Sequence, residues 1–222
     1  MAGLRFKDRT DAGAQLAEAL AAIRIEPGAV VLGLPRGGIP VGYEVARRLH
    51  LQLDFLNIRK LGVPWQPEVA MGAVGEDGVP HLNADLVRSL AITSEQIKRI
   101  RDLELSVIRE RKKAYRGFAP TADLQGRQVI LVDDGIATGA TMDLAIEMVR
   151  TAGARSLIVA IPAGPPGTSD KYEDMVDHCI CLQEPAEFNY VGQFYRNYQP
   201  VTDDEVCELL GASFQALNRG AS

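Results

Sequence analysis

The chain has 222 residues, 46% of them hydrophobic and 24% charged, with a formal net charge of −5 at pH 7. That length allows a single domain, 1–222, with a substantial core, and the composition is that of an ordinary soluble globule. The negative balance argues against a general nucleic-acid binder, no apolar run approaches a membrane span, the start MAGLRFKDRTDAG is too polar for a signal peptide, and three late cysteines (Cys179, Cys181, Cys207) fit reduced thiols in the cytoplasm.

Residues 11–23 form an alanine-rich helix. Residues 29–34 are an apolar strand, and residues 39–49 a helix after PRGG. Between them GLPRGGIPVG exposes N–H groups around Arg36, Gly37 and Gly38 that suit an anion, although a plain turn has the same composition. Residues 53–58 are a strand, followed by RKLGVPWQP, which reads as a mobile loop with Arg59 and Lys60 at its start. A solvated basic turn is the plain alternative there, and Trp65 either covers a site or simply packs. Residues 69–74 and 79–82 flank the turn GEDG as a hairpin. Thr93 with Gln96 makes a capping box ahead of a long helix to about Tyr115. That helix is dense in Lys and Arg, yet Glu95, Asp102, Glu104 and Glu110 interleave with them, so it reads as a solvated, ion-paired face.

The most informative stretch is VILVDDGIATGAT, residues 129–141. A short apolar run entering a small-residue loop reads as a buried parallel strand. Met142, Ala145, Ile146 and Val149 then recur at helical spacing, so the segment is strand, loop, helix. In an open α/β sheet such a loop lies at the carboxyl edge, where ligands bind. Gly135 and Gly139 permit tight turning, the N–H groups opening the helix favour an anion, and Thr138 and Thr141 add hydroxyl donors. Together they make a cup for a phosphate. Asp133 and Asp134 would repel that phosphate and suit a hydroxyl-rich group beside it, or a metal. The loop has neither the lysine of a Walker A motif nor the glycine spacing of a dinucleotide fingerprint. A turn with a capping Asp is the bland reading, and two consecutive acids ending a buried strand fit it poorly.

Strands at 157–161 and 178–182 and a final helix at 202–217 complete the chain. Strands alternating with helices give an α/β fold, a mostly parallel sheet covered on both faces. His178, Cys179 and Cys181 lack a second ligand pair for zinc, and the two cysteines share one strand face as core residues. Residues 184–206 crowd Phe188, Tyr190, Phe194, Tyr195 and Tyr198 into one region without clear period.

VILVDDGIATGAT resembles the phosphoribosyl-diphosphate (PRPP) binding motif of type I phosphoribosyltransferases. Wider similarity, from RFKDRTDAG to YRNYQPVTDDEV, is to a bacterial branch of that family with no settled acceptor. The resemblance implies Mg²⁺-dependent transfer of 5-phosphoribose from PRPP to a small-molecule acceptor, with release of pyrophosphate. It implies that Asp133 and Asp134 hold the ribose hydroxyls, and that Gly135 and the loop Ala137, Thr138, Gly139, Ala140 and Thr141 hold the 5′-phosphate. The Arg36–Gly37–Gly38 loop takes the place of the pyrophosphate loop, and Arg59 and Lys60 that of the flexible catalytic loop. Mg²⁺ enters on PRPP, with no direct protein ligand assigned. A homodimer is expected, with a core at about 26–162 and a hood from about 1–25 and 163–222. Phe188 and Tyr190 are the candidates for the acceptor face. Ala137 stands where the hypoxanthine and guanine enzymes carry a third acid, which argues against those acceptors. A PRPP- or nucleotide-binding regulatory protein without transferase activity is the alternative.

Overall fold

In the computed structural model residues 5–118 and 121–220 are described. Five strands make one parallel sheet in the order β2-β1-β6-β7-β8: β1 (Val30–Gly33), β2 (Gln52–Phe55), β6 (Gln128–Val132), β7 (Ser156–Ala163) and β8 (His178–Gln183). A second, antiparallel sheet is built from β3 (Arg59–Val63), β4 (Gln66–Val74) and β5 (Pro80–Leu82).

Side chains alternate across each strand, and both faces of the parallel sheet are covered. On one face Val31, Ile130 and Ile158 pack with α1 (Arg9–Leu20), α2 (Gly38–Leu49) and α7 (Asp203–Gly220). On the other, Leu32, Leu131 and Val159 meet α5 (Ala140–Thr151) and Tyr172 of α6 (Thr168–Glu173). That double cover is why the strands read as unbroken apolar runs. The small sheet packs on α3 (Ala84–Ser89) and α4 (Ser94–Tyr115) through Leu61, Met71, Ile92 and Ile108. The Thr93–Gln96 capping box of α4 is formed. No helix among the described residues is long and apolar enough to cross a membrane.

Two expectations need correction. RKLGVPWQP is not a free loop, because residues 59–63 and 66–74 pair as a hairpin with register shifts around Gly62. A Cβ on Gly62 would lie 2.5 Å from the Pro67 carbonyl oxygen, so the bare backbone lets the strands close despite two prolines. Trp65 stands at the turn of that hairpin, 53% exposed. Cys179 and Cys181 are half-buried on the outermost strand β8 rather than sealed in the core. Burial first, and Glu184 second, push their thiols up to about 11 and about 12.

The end of β2 is anchored by charge. Asp54 is buried; it pairs with Arg116 and accepts the N–H groups of Phe55 at 2.7 Å and Ala122 at 2.8 Å. The Arg116 guanidinium also lies 4.0 Å from the Phe55 ring centroid. Removing one partner of such a pair strands the other charge in the interior. Asp54→Ala is therefore expected to lower unfolding free energy in urea by about 3–5 kcal/mol. A loss below about 1 kcal/mol would show that this pair is not an anchor.

Candidate functional site

The site grows from strand register. Gly33 of β1 is paired with Val132 of β6, and the Leu34 N–H reaches the Val132 carbonyl at 2.9 Å. Both strands therefore stop at one level, and the loop opening α2 lies against the two acids that follow β6. A Cβ on Gly37 would fall 2.1 Å from Asp134 Oδ2, and one on Gly38 would fall 2.6 Å from the Val132 carbonyl oxygen. Glycine is thus required here by the acids themselves, beside any role its N–H groups play toward a ligand.

Asp134 is buried and well supported. Its Oδ2 accepts from Arg9 Nε at 2.8 Å and the Tyr198 hydroxyl at 2.9 Å, and its carbonyl accepts from the Tyr195 hydroxyl at 2.7 Å. The Arg9 guanidinium lies 4.1 Å from the Tyr198 ring centroid and donates to the Gln199 carbonyl at 2.8 Å. Burial pulls the Arg9 pKa down, but the Asp134 charge and hydrogen bond outweigh it, leaving it above its usual value. Burial and the same carboxylate push the Tyr195 and Tyr198 phenols up.

Asp133 has less help. Its Oδ1 accepts the Asp134 N–H at 2.8 Å, and no described residue bonds its other oxygen. Although its side chain keeps some opening to solvent, dense surroundings and then the Asp134 charge raise its pKa well above the carboxylate range, with the Lys60 charge acting in the opposite sense.

The loop after the acids closes a small cavity of about 170 Å³, walled by Lys60, both acids, Gly135, Ala137, Thr138, Gly139 and Thr141, and also by Val191 and Tyr198. Gly139 (φ 86°) precedes α5, and a Cβ there would lie 2.5 Å from Lys171 Nζ. Lys171 is itself held by Asp143 at 2.7 Å. Ala140 lines a separate cavity beyond α5. A larger cleft of about 600 Å³ shares Lys60, Asp133 and Thr141 with the small one and runs between Pro35 and the β3–β4 hairpin.

Most sequence-picked residues therefore converge. Lys60 joins the acids and the loop, whereas Arg59 is ion-paired with Glu104 at 2.6 Å and Arg36 faces Asp203 at 3.7 Å. Phe188 and Tyr190 line neither cavity. Phe188 stacks on Phe194 with ring centroids 5.3 Å apart, and Tyr190 is 63% exposed. The residues that spacing missed are Arg9, Tyr195, Tyr198 and Val191. They arrive because Phe6 and Tyr195 form a parallel bridge, with the Phe6 N–H on the Phe194 carbonyl at 2.8 Å. The described residues hold no cluster of three His, Cys, Asp or Glu side chains able to cage a metal alone. One oxygen of Asp133 is left without a described partner, and a lone carboxylate oxygen of this kind suits a Mg²⁺ ion that keeps water and phosphate oxygens as its other ligands.

Residues 8–198 match the phosphoribosyl transferase domain model. A Mycobacterium tuberculosis protein, named provisionally as a phosphoribosyl transferase, is 45% identical over 205 residues, covering 92% of this chain and 46% of that protein. The chain thus spans about half the length of the curated relatives it matches most fully. An amidophosphoribosyltransferase of Pyrococcus horikoshii is 31% identical over 132 residues, 57% of this chain and 25% of that one. A crystal structure of a Thermus thermophilus protein superposes with a TM-score of 0.78 at 42% identity, covering 94% of this chain and 98% of that one.

The raised Asp133 pKa has a consequence for stability. The folded protein keeps this proton at a pH where the unfolded chain, with an ordinary value of about 3.9, has lost it. Stability from this group therefore falls as pH rises from the unfolded value through the folded one. Asp133→Asn removes the dependence. Its thermal midpoint is expected above the parent's at about pH 7, with the gap closing toward about pH 4. Equal midpoints throughout would mean that the carboxylate is already compensated.

Proposed function

The chain belongs to the phosphoribosyl transferase domain family, and from that premise we propose that it transfers 5-phosphoribose from PRPP to a small acceptor, with Mg²⁺, releasing pyrophosphate. The observation that carries the reading is the convergence of two adjacent acids, a Thr- and Gly-rich loop before a helix, and Lys60 on one cavity.

In this reading the N–H groups opening α5, with Thr138 and Thr141, take the 5′-phosphate. Asp133 and Asp134 accept hydrogen bonds from the ribose hydroxyls, Asp134 being fixed by Arg9 and Tyr198. As the C1–O bond to the diphosphate breaks and the acceptor bonds to C1, the ribose gains positive charge beside the acids. The diphosphate leaves with the electron pair, near Lys60 and the Arg36–Gly38 loop. Catalysis is then positioning and charge complementarity, without a covalent enzyme intermediate. When bound, Mg²⁺ would sit on PRPP oxygens, with the free Asp133 oxygen the available protein group, and would neutralise the leaving diphosphate. The acceptor stands against a wall of Tyr198 and Val191, which line the same cavity as the acids. Phe188 supports that wall through Phe194 rather than touching the acceptor. The hood is thus made from both ends of the chain, over a core bearing the PRPP half.

The test is acceptor-dependent pyrophosphate release from PRPP and Mg²⁺ across nucleobases, small amines and phenols. Hypoxanthine and guanine are expected to be inactive, since Ala137 offers no proton-transfer group near the acceptor. PRPP binding without release on any acceptor would favour a regulatory protein. Asp134→Asn is expected to weaken PRPP binding about tenfold or more through loss of a charge-assisted bond. Unchanged affinity would remove the acids from the site. Lys60→Ala should lower kcat more than it raises KM, because its charge matters most as the diphosphate departs. A change in KM alone would make Lys60 a ground-state contact.

A further inference from the structure

Three guanidinium groups gather where the first loop, the small sheet and α4 meet. Arg36 Nη1 and Arg111 Nε each lie 3.7 Å from a different oxygen of Asp203, while Arg59 is held by Glu104 at 2.6 Å. Arg111 is the anomaly. Its side chain is only 12% exposed, yet among the described residues it makes no hydrogen bond within the protein. The other inward arginines behave differently. Arg9 and Arg116 each donate to a carboxylate and lie over an aromatic ring. A separation of 3.7 Å is too long for an N–H···O bond, so the five N–H donors of Arg111 lack a partner of matching geometry. Burial lowers its pKa, and the charges of Arg59 and Arg36 lower it further.

Three cations thus face two carboxylates in a half-buried setting. Of those carboxylates, Asp203 is 51% exposed and holds neither arginine closely; its firm contact is the hydroxyl of buried Tyr115, which donates to it. Of the group, Arg59 and Glu104 line the 600 Å³ cleft, as does Pro35 next to Arg36, and Arg111 lies behind them. A planar donor fork among like charges is suited to phosphate oxygens, which accept two parallel N–H bonds from one guanidinium.

We propose that Arg111, with Arg36 and Arg59, seats a diphosphate group, and that Asp203 is a resident counter-anion which that group displaces. This rests on the PRPP reading and extends it to a residue on α4 and another on α7. The same chemistry would be offered by the diphosphate arm of PRPP or by free pyrophosphate, and ribose 5-phosphate lacks it.

The test is calorimetric titration of the full chain with Mg²⁺ and, separately, inorganic pyrophosphate, PRPP and ribose 5-phosphate. Arg111→Met is expected to weaken pyrophosphate and PRPP about tenfold or more, with ribose 5-phosphate unaffected. Arg111→Lys should recover part of the loss, because it restores charge without the fork, and it serves as the readout if Arg111→Met misfolds. Asp203→Asn should tighten pyrophosphate. PRPP binding with unchanged pyrophosphate affinity in both Arg111 variants overturns the seat and leaves the transferase reading intact. Pyrophosphate binding that depends on Arg111, with no PRPP binding by the parent, supports the seat and sinks the transferase reading. A parent that binds neither overturns both.

Discussion

Everything at the site depends on the in-register pairing of β1 with β6. Because Gly33 sits beside Val132, two loops leave the sheet at one level and must pass within contact distance. Only residues without side chains allow it. A Cβ on Gly38 would lie 2.9 Å from the Asp133 Cα, and one on Gly37 would overlap the Asp134 carboxylate. The first loop and the acid pair are therefore one mechanical unit. A shift of either strand would separate the N–H groups opening α2 from the acids rather than merely loosen them.

That close approach forces two carboxylates into a crowded place, and the structure treats them unequally. Asp134 receives a guanidinium and a phenol, both supplied by chain ends that the Phe6–Tyr195 bridge ties together. Asp133 receives one backbone N–H and is left with its pKa raised by burial and by its neighbour. A fold under selection for stability alone would not keep an acid so placed. Groups strongly perturbed by burial and a specific charge cluster at functional sites, and Asp133 faces both cavities.

Local pattern made the parallel sheet and the acid–loop–helix segment legible, because burial on both faces writes itself as apolar runs and a tight loop entering a helix as small residues. It misled where Pro64 and Pro67 bracket Trp65. Those residues signal a loop, yet Gly62 lets the strands pair around them. The six-residue helices α3 and α6 are too short to display a period. Arg9 and Asp134 are 125 positions apart, so no spacing rule could join them. The long helix α4 shows the limit most clearly. Arg101 pairs with its neighbour Asp102, but Lys112 reaches Glu76 and Glu104 reaches Arg59, both outside the helix, so the alternation along α4 does not foretell its partners. The same pattern hides Arg111 and Arg116, whose burial is decided by what packs against the helix end.

The overall charge of −5 would be expected to repel a ligand as anionic as PRPP, but distance decides otherwise. In physiological salt the screening length is about 8 Å, so exposed charges elsewhere on the surface are largely invisible at the cleft. Partly buried groups are screened far less. Arg59 and Arg111 are such groups, the exposed Lys60 and Arg36 lie beside them, and the helices α2 and α5 both begin there, each presenting the positive end of its dipole. The potential a ligand meets on entering is therefore set by these nearby side chains, with the acids Asp133, Asp134, Glu104 and Asp203 among them, and by two helix ends rather than by the sum over 24 basic and 29 acidic residues.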